Sequence, residues 1–501
     1  MLRNVGSNWV LVAAMIAATY VLTPFTIKTL GEEGYGVWTI IASMTGYISL
    51  LALGVPMACV RYLAQHVTER DTRTLNAMIG SCAVLYVFMG AIALVVGAVL
   101  LQLFGLYDIS GTYASEAPAA FVLMVVYVSA GFIGLLPEGI LFAHHAFVPR
   151  NLVRVSGVLL RLILTIVALR MGASLVLLAL VQLVCLVFEM CGSWVIIRRR
   201  YPEVRVRLRD FDFVMVRRIF SFSVYVVLLT AGARLSFETA ALVIGATLGV
   251  AAIPYYVVAN SLIVYLMEFI LSIAAVVSPM ATTLATDGRR AELREMFLKW
   301  SKVALSLTLM AGVFLLVLGP RFLGWWIDPS YEGDAGRVLQ ILMISALIFL
   351  PVRGVAFPIL MGMGKPKLPA IASFGAGVVN LGLSLVLAGP FGLPGIALAA
   401  AIPNVLLALF VLAMACRELE LSPVRYLQYV VPRAVLGALP ILALLMWFKT
   451  QLQVSNISSF AVAGVAMMVL FGLTWVFYVY RDDPYVDVRT HVGRLMAWGR
   501  A

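Results

Sequence analysis

The stretch TPFTIKTLGEEGYGVWTIIASMTGYISLLALGVPMACVRYLAQ, Thr23 to Gln65, decides how the rest of the chain is read. Two apolar runs meet at a short polar turn, Gly31-Glu32-Glu33-Gly34, followed by Tyr35, Gly36 and Trp38. Tyr and Trp favour the membrane–water interface, because each ring is apolar with one polar handle. A turn this short cannot leave the interface by much, so the two runs predict a transmembrane hairpin. The layout returns further on. Leu30-Gly31, Trp38 and Ser43 match Leu248-Gly249, Tyr256 and Ser261, all at one constant offset. A pattern repeated at nearly half the chain length predicts two similar lobes.

Composition sets the class. The 501 residues are 63% hydrophobic and 12% charged, with mean hydropathy +1.03. A soluble domain is about 45–50% apolar and about 25% charged. The apolar runs reach ~20 residues without strict alternation, which predicts helices rather than a barrel. The first run, from Trp9 to Leu30, is long enough to span and shows no cleavable signal pattern. The net charge of +12 does not point to nucleic acid, because the cations alternate between loops as orientation signals do.

About fourteen spans result. Loops after even-numbered spans are basic: Arg70 and Arg73; Arg198 to Arg200, Arg205, Arg207 and Arg209; Arg289, Arg290 and Arg294; Lys365 and Lys367; Arg417 and Arg425. Loops after odd-numbered spans carry few cations, and several are acidic. Both termini are therefore expected in the cytoplasm. A second echo joins the first. Gly139-Ile140-Leu141-Phe142 leads into His145, and Pro358-Ile359-Leu360-Met361 leads into Gly364, at an offset longer by a single position. Each lobe has an even number of spans, so the repeat is parallel.

The expected architecture is an all-α integral membrane protein of two pseudo-symmetric six-helix lobes plus two C-terminal helices. Residues 1–200 form the first lobe, 201–218 a basic cytoplasmic linker and 219–416 the second lobe. Residues 417–480 add a helix pair, and 481–501 form a basic cytoplasmic tail. The end of that tail, Val486 to Arg500 with Trp498, reads as an amphipathic interfacial helix.

An ionisable group at bilayer depth costs roughly 2.5–3.5 kcal/mol on insertion scales, so it marks a cavity or a partner. The deep groups are Arg161, Glu189, Arg234, Glu238, Glu268 and Arg353; Lys28, Arg61 and Glu138 lie nearer the interfaces. One reading is a cationic cavity between the lobes. Arg234 and Arg353, helped by Arg61, Lys28 and Arg161, would hold an anionic head group, since the guanidinium fork suits phosphate. Glu138, Glu189, Glu238 and Glu268 would balance charge or take up H+ or Na+. The other reading is mutual neutralisation. Arg234 and Glu238 are four apart on one helix, Arg161 and Glu189 lie at similar depth on consecutive spans, and Arg61 and Lys28 can snorkel. Arg353 has no partner nearby in sequence.

The five cysteines show no CxxC or Cys/His spacing and read as small core residues, not disulfides or ligands. His144-His145 reads as a solvated pair. No metal or other cofactor is expected.

The run TLGEEGYGVWTIIASMTGYISLLALGVPMACVRYLAQ resembles the start of the polysaccharide-transport (Wzx-type oligosaccharide flippase) family, part of the multidrug/oligosaccharidyl-lipid/polysaccharide exporter superfamily. The residues that carry the likeness are Leu30, Gly31, Tyr35, Gly36, Trp38, Gly54 and Arg61. ILMGMGKPKLPAIASFGAGVVNLGLSLVLAGPFGLPGIALAAAIPN, further on, also looks like the family. The resemblance implies a transporter, not an enzyme, that moves a polyprenyl-pyrophosphate-linked glycan to the outer leaflet by rocking its lobes. Arginines would hold the pyrophosphate, and membrane lipid, a polysaccharide polymerase and other assembly proteins would be partners. The first span lacks the acid that drug exporters of the superfamily often carry. Two other readings stay open: an ion-coupled small-molecule exporter, and a membrane glycosyltransferase or polymerase using Glu32-Glu33.

Overall fold

The computed structural model describes residues 2–52, 54–206, 212–213, 215–216, 224–451 and 456–485. The expected interfacial helix at 486–500 lies outside these, as do Arg207 and Arg209 of the basic segment. Helices make up nearly all of the described residues, and no strand occurs among them. In order they are α1 (Leu2–Ile48), α2 (Val55–Glu69), α3 (Thr72–Leu100), α4 (Gly111–Ala143), α5 (Phe147–Met171), α6 (Leu175–Arg200) and α7 (Val224–Phe237). Then come α8 (Thr239–Thr247), α9 (Ile253–Thr286), α10 (Arg290–Trp326), α11 (Asp334–Gly362), α12 (Lys367–Glu418), α13 (Pro423–Gln451) and α14 (Ile457–Thr474).

Among the described residues, twelve helical stretches are long and apolar enough to cross a membrane. Two are too long for one crossing. Val10–Ala52 has 43 residues and Lys367–Glu418 has 52, so they would measure about 65 and 78 Å straight. The hydrocarbon core is only about 30 Å thick. Each stretch breaks at one glycine: Gly31 at φ 72°, ψ 175° and Gly392 at φ 59°, ψ −141°. Dividing both there gives fourteen passes among the described residues. An all-α, multi-pass membrane protein is the result.

The internal repeat is visible in backbone geometry. Gly249 (φ 93°, ψ 156°) has nearly the conformation of its counterpart Gly31. Neither conformation is open to a residue with a Cβ without strain. Helix ends repeat too. After α2, Arg70 is left-handed, its N–H bonds the Val67 carbonyl and the Asp71 N–H bonds that of His66. After α9, at the offset of the first echo, Gly288, Ala285, Arg289 and Leu284 make the same pair of bonds. After α4, His145 and Ala146 bond Phe142 and Leu141; after α11, at the offset of the second echo, Gly364 and Lys365 bond Met361 and Leu360. These are Schellman closures, which satisfy carbonyls that a helix end leaves orphaned.

Packing divides the chain into two compact units. The first holds residues 1–234 and 238–254, the second residues 235–237 and 255–501. The basic segment therefore precedes the packing boundary by some way, and α8 goes with the first unit. The cause is a close approach: a Cβ at Gly36 would sit 2.0 Å from the Val250 carbonyl oxygen. Only glycine lets the two backbones meet there, which gives the Tyr35-Gly36 signature a physical reason. The turn beside it is clamped to the start of α4. Tyr113 Oη donates to the Leu30 carbonyl at 2.7 Å, and Glu33 Oε1 accepts from Ser110 N (2.9 Å) and Oγ (2.8 Å). Glu33 thus serves the fold of the hairpin.

In the second unit, α13 and α14 pack on α10. Val313, Val317, Leu318, Ile441, Leu445, Phe448, Phe460 and Met467 form one buried cluster. α10 begins at Arg290, so Arg290 and Arg294, read from the sequence as loop cations, lie in its first turns.

Candidate functional site

The site residues fall into separate clusters, each within one unit. In the first unit, Arg234 and Glu238 flank the break between α7 and α8. Arg234 bonds Glu238 through Nη1, and its Nη2 donates to Ser49 Oγ at 3.1 Å. Four residues separate the two charges, one helical turn, so the pairing was legible in sequence. What surrounds it was not. Tyr47 Oη bonds Thr239 Oγ1 and reaches the Arg234 carbonyl at 3.4 Å. A Cβ on Gly46 would lie 2.8 Å from Glu238 Oε2 and 2.9 Å from Arg234 Nη1. Gly46, Tyr47 and Ser49 of the opening stretch therefore build the wall of this ion pair. The pair is not sealed: 29% and 37% of the two side chains remain exposed.

In the second unit, Arg353 lies on α11 between Pro351 and Pro358. Its guanidinium carbon is 5.5 Å from the Phe349 ring centre and 5.9 Å from that of Phe357. These rings stand four residues before and after it, on the same helical face. Arg353 Nε is buried with no hydrogen-bond partner. The Glu268 carboxylate acts on it through space, but Arg353 carries no ion pair among the described residues. Cation–π contact offsets about 0.5–2 kcal/mol per ring, which leaves part of the insertion cost uncompensated.

The remaining groups are placed as follows. Arg161 Nη2 lies 3.6 Å from Glu189 Oε1, on α5 and α6, so these two neutralise each other; Arg161 Nε has no hydrogen-bond partner. Glu138 is held by Arg150 at 3.3 Å and Arg154 at 3.9 Å. Arg61 is exposed on α2, 6.0 Å from the Tyr62 ring, and Lys28 and Glu268 are exposed. Of the cysteines, Cys191 is exposed and the other four are buried, with Cys82 and Cys59 Sγ atoms 2.8 Å apart. His144 packs on Tyr201, ring centres 4.0 Å apart, instead of being fully solvated.

One cluster escaped the sequence reading. Lys302, 1% exposed, pairs with Asp483, whose carboxylate also accepts from Tyr429 Oη at 2.7 Å. Lys302 Nζ lies 4.7 and 4.9 Å from the Tyr429 and Tyr480 rings. The partners are 181 residues apart in a stretch read as a basic tail, so no local pattern announced them.

In the second unit, Asn380 donates to the carbonyls of Leu235 and Ser236 at 3.0 Å each, and Asn260 to that of Phe237 at 3.5 Å. These amides satisfy the backbone where the seventh pass is interrupted. Irregular backbone at membrane depth persists only when it is satisfied this way.

Fourteen passes, glycine-broken helices, an internal repeat and charges at depth define a multi-pass transporter fold. Solved structures bear this out. An inward-facing multidrug resistance MATE family transporter of the MOP superfamily aligns with TM-score 0.72 at 17% identity, over 80% of this chain and 94% of its own. The lipid II flippase MurJ, in an inward closed conformation, aligns with TM-score 0.71 at 14% identity, over 94% and 99%. In sequence, the membrane protein EpsK of Bacillus subtilis (strain 168) is 22% identical over 402 residues, 77% of each chain. The polysaccharide biosynthesis protein model matches residues 1–285, and the chain belongs to that family.

Proposed function

We propose that this protein is a flippase that moves a polyprenyl-pyrophosphate-linked oligosaccharide, a surface-polysaccharide precursor, across the cytoplasmic membrane. Both termini lie in the cytoplasm on this reading. Arg353 is the main anion-binding group. The observation that carries the reading is its buried Nε, which has no hydrogen-bond partner and sits between two phenyl rings without an ion pair among the described residues. A cation kept uncompensated at depth needs a ligand that supplies the missing charge, and a diphosphate does so. Arg234, in the first unit and already held by Glu238 and Ser49, is the weaker anion-binding candidate, because an anion there must compete with its carboxylate. The site faces each side of the membrane in turn, and Glu268 takes up H+ or Na+ to drive the cycle.

The test is translocation of a lipid-linked oligosaccharide by full-length protein in proteoliposomes. Arg353→Gln loses a charge-assisted bond of roughly 1.5–3 kcal/mol, so flux falls about 10- to 150-fold, with partial recovery in Arg353→Lys. Unchanged flux in a monodisperse Arg353→Gln protein overturns the assignment.

The similarity to the MATE transporter favours a second reading, an ion-coupled exporter of small molecules. Cargo-dependent H+ or Na+ flux with no lipid-linked substrate present would select it.

A further inference from the structure

A cavity of about 590 Å³ opens in the first unit between α3, α4 and α6, and none of the ion-paired residues described above lines it. Its volume falls in the range of about 300–1,000 Å³ that holds small ligands. Ile133 and Leu136 line its apolar part, Tyr86 and Trp194 stand at its sides, and Arg198 and Arg205 edge it. Both arginines are exposed, and neither carries an ion pair among the described residues. Arg199 and Arg200 add charge beside them.

The edge of the cavity is built. After α6 the chain turns back over the start of α3, where Asn76 clamps it with both ends of its amide. Asn76 Nδ2 donates to the Glu203 carbonyl at 3.0 Å, and Asn76 Oδ1 accepts from Arg205 N at 2.8 Å. Further on, Asp212 N donates to Ser81 Oγ at 3.0 Å. These bonds fix Arg205 at the mouth opposite the last turn of α6. An apolar chamber with a Trp and two guanidinium groups, neither ion-paired among the described residues, at the basic end of a transmembrane helix matches one chemistry. The chamber takes an acyl chain, the Trp sits at head-group level, and the arginines meet a phosphate.

We propose that this cavity is a binding site for one anionic phospholipid of the cytoplasmic leaflet, separate from the transported substrate. The head-group phosphate sits between Arg198 and Arg205, and one acyl chain lies along Ile133 and Leu136. Asn76 is a positioning residue that acts through Arg205. The inference does not depend on which cargo the protein carries.

The test uses full-length protein in nanodiscs and a phosphatidylglycerol carrying a photoreactive diazirine in its acyl chain, with labelled peptides mapped by mass spectrometry. Label is expected on the segments around Ile133 and Trp194, competed by unlabelled phosphatidylglycerol and not by phosphatidylcholine. Arg198→Gln with Arg205→Gln lowers it about 30-fold, at the contribution expected of two interfacial arginines. Ile133→Trp, at a lipid-exposed position, fills the chamber and abolishes label while the protein stays monodisperse. Equal labelling by a phosphatidylcholine probe, label indifferent to both variants, or competition by a polyprenyl phosphate would each overturn the proposal. The last would mean that the cavity serves the cargo.

Discussion

Arg234 and Arg353 are both guanidinium groups at membrane depth, and their surroundings are opposite. Arg234 has a carboxylate one helical turn away, a serine hydroxyl and a glycine that leaves room for both. Arg353 has two aromatic rings and an Nε with no hydrogen-bond partner. Lys302 marks the far end of the series, fully buried and paired with Asp483. Burial alone does not define a ligand site. What matters is how much of the charge the fold has already satisfied. A group that is fully satisfied holds the structure together; one that is partly satisfied is where the proposed ligand would bind.

The largest expected effect is at Lys302. Lys302→Met leaves Asp483 buried without its cation and costs about 3–5 kcal/mol, while adding Asp483→Leu brings stability back toward wild type. Thermal unfolding in detergent measures both. A single variant as stable as wild type would remove Lys302 from the satisfied class. The pair also sets a pH dependence. Burial pushes the Asp483 carboxyl up, but Lys302, Tyr429 and the Tyr485 N–H outweigh it and hold it below the ordinary carboxylate value of 3.8. A depressed folded-state value contributes stability above the unfolded value and loses it as pH falls through the folded one. The acid side of the unfolding profile, below about pH 4, therefore flattens in Asp483→Asn.

Next comes Gly46→Ala, which drives a methyl into the Arg234–Glu238 pair and costs about 1–3 kcal/mol, the range for overpacking. Arg353→Gln sharpens the contrast from the other side. It removes a charge that carries no ion pair among the described residues, so stability stays within about 1 kcal/mol of wild type while translocation falls. A large loss of stability in Arg353→Gln would place it with Lys302.

The smallest effect separates the repeats. The first closes its helix ends with Arg70 and His145 in left-handed conformations, where the second uses Gly288 and Gly364. His145→Gly removes the Cβ strain and stabilises the protein by about 1 kcal/mol, readable as a raised unfolding midpoint.

The repeat was legible because each echo falls on a residue whose backbone conformation is itself the feature. Leu30-Gly31 and Leu248-Gly249 break helices, and the stretches before His145 and Gly364 close them. The Arg234–Glu238 pair was legible for the same reason, since one turn of helix fixes the spacing. The Arg161–Glu189 pair was weighed as one of two alternatives, because depth along consecutive spans narrows partners without fixing rotation about the helix axis. Glu138 with Arg150 crosses a turn and was missed.

The sequence by itself determined the class, the fourteen passes, the repeat and the identity of the deep charges, because apolar length and local spacing are properties of the chain. Beyond the one local pair, Arg234 with Glu238, tertiary structure decided which charges are satisfied. It set Gly46 and Ser49 against Arg234, Asp483 against Lys302, and Asn76 beneath the strap that edges the lipid-sized cavity. Those contacts join residues more than a hundred positions apart, and only the packing of one helix against another brings them within bonding distance.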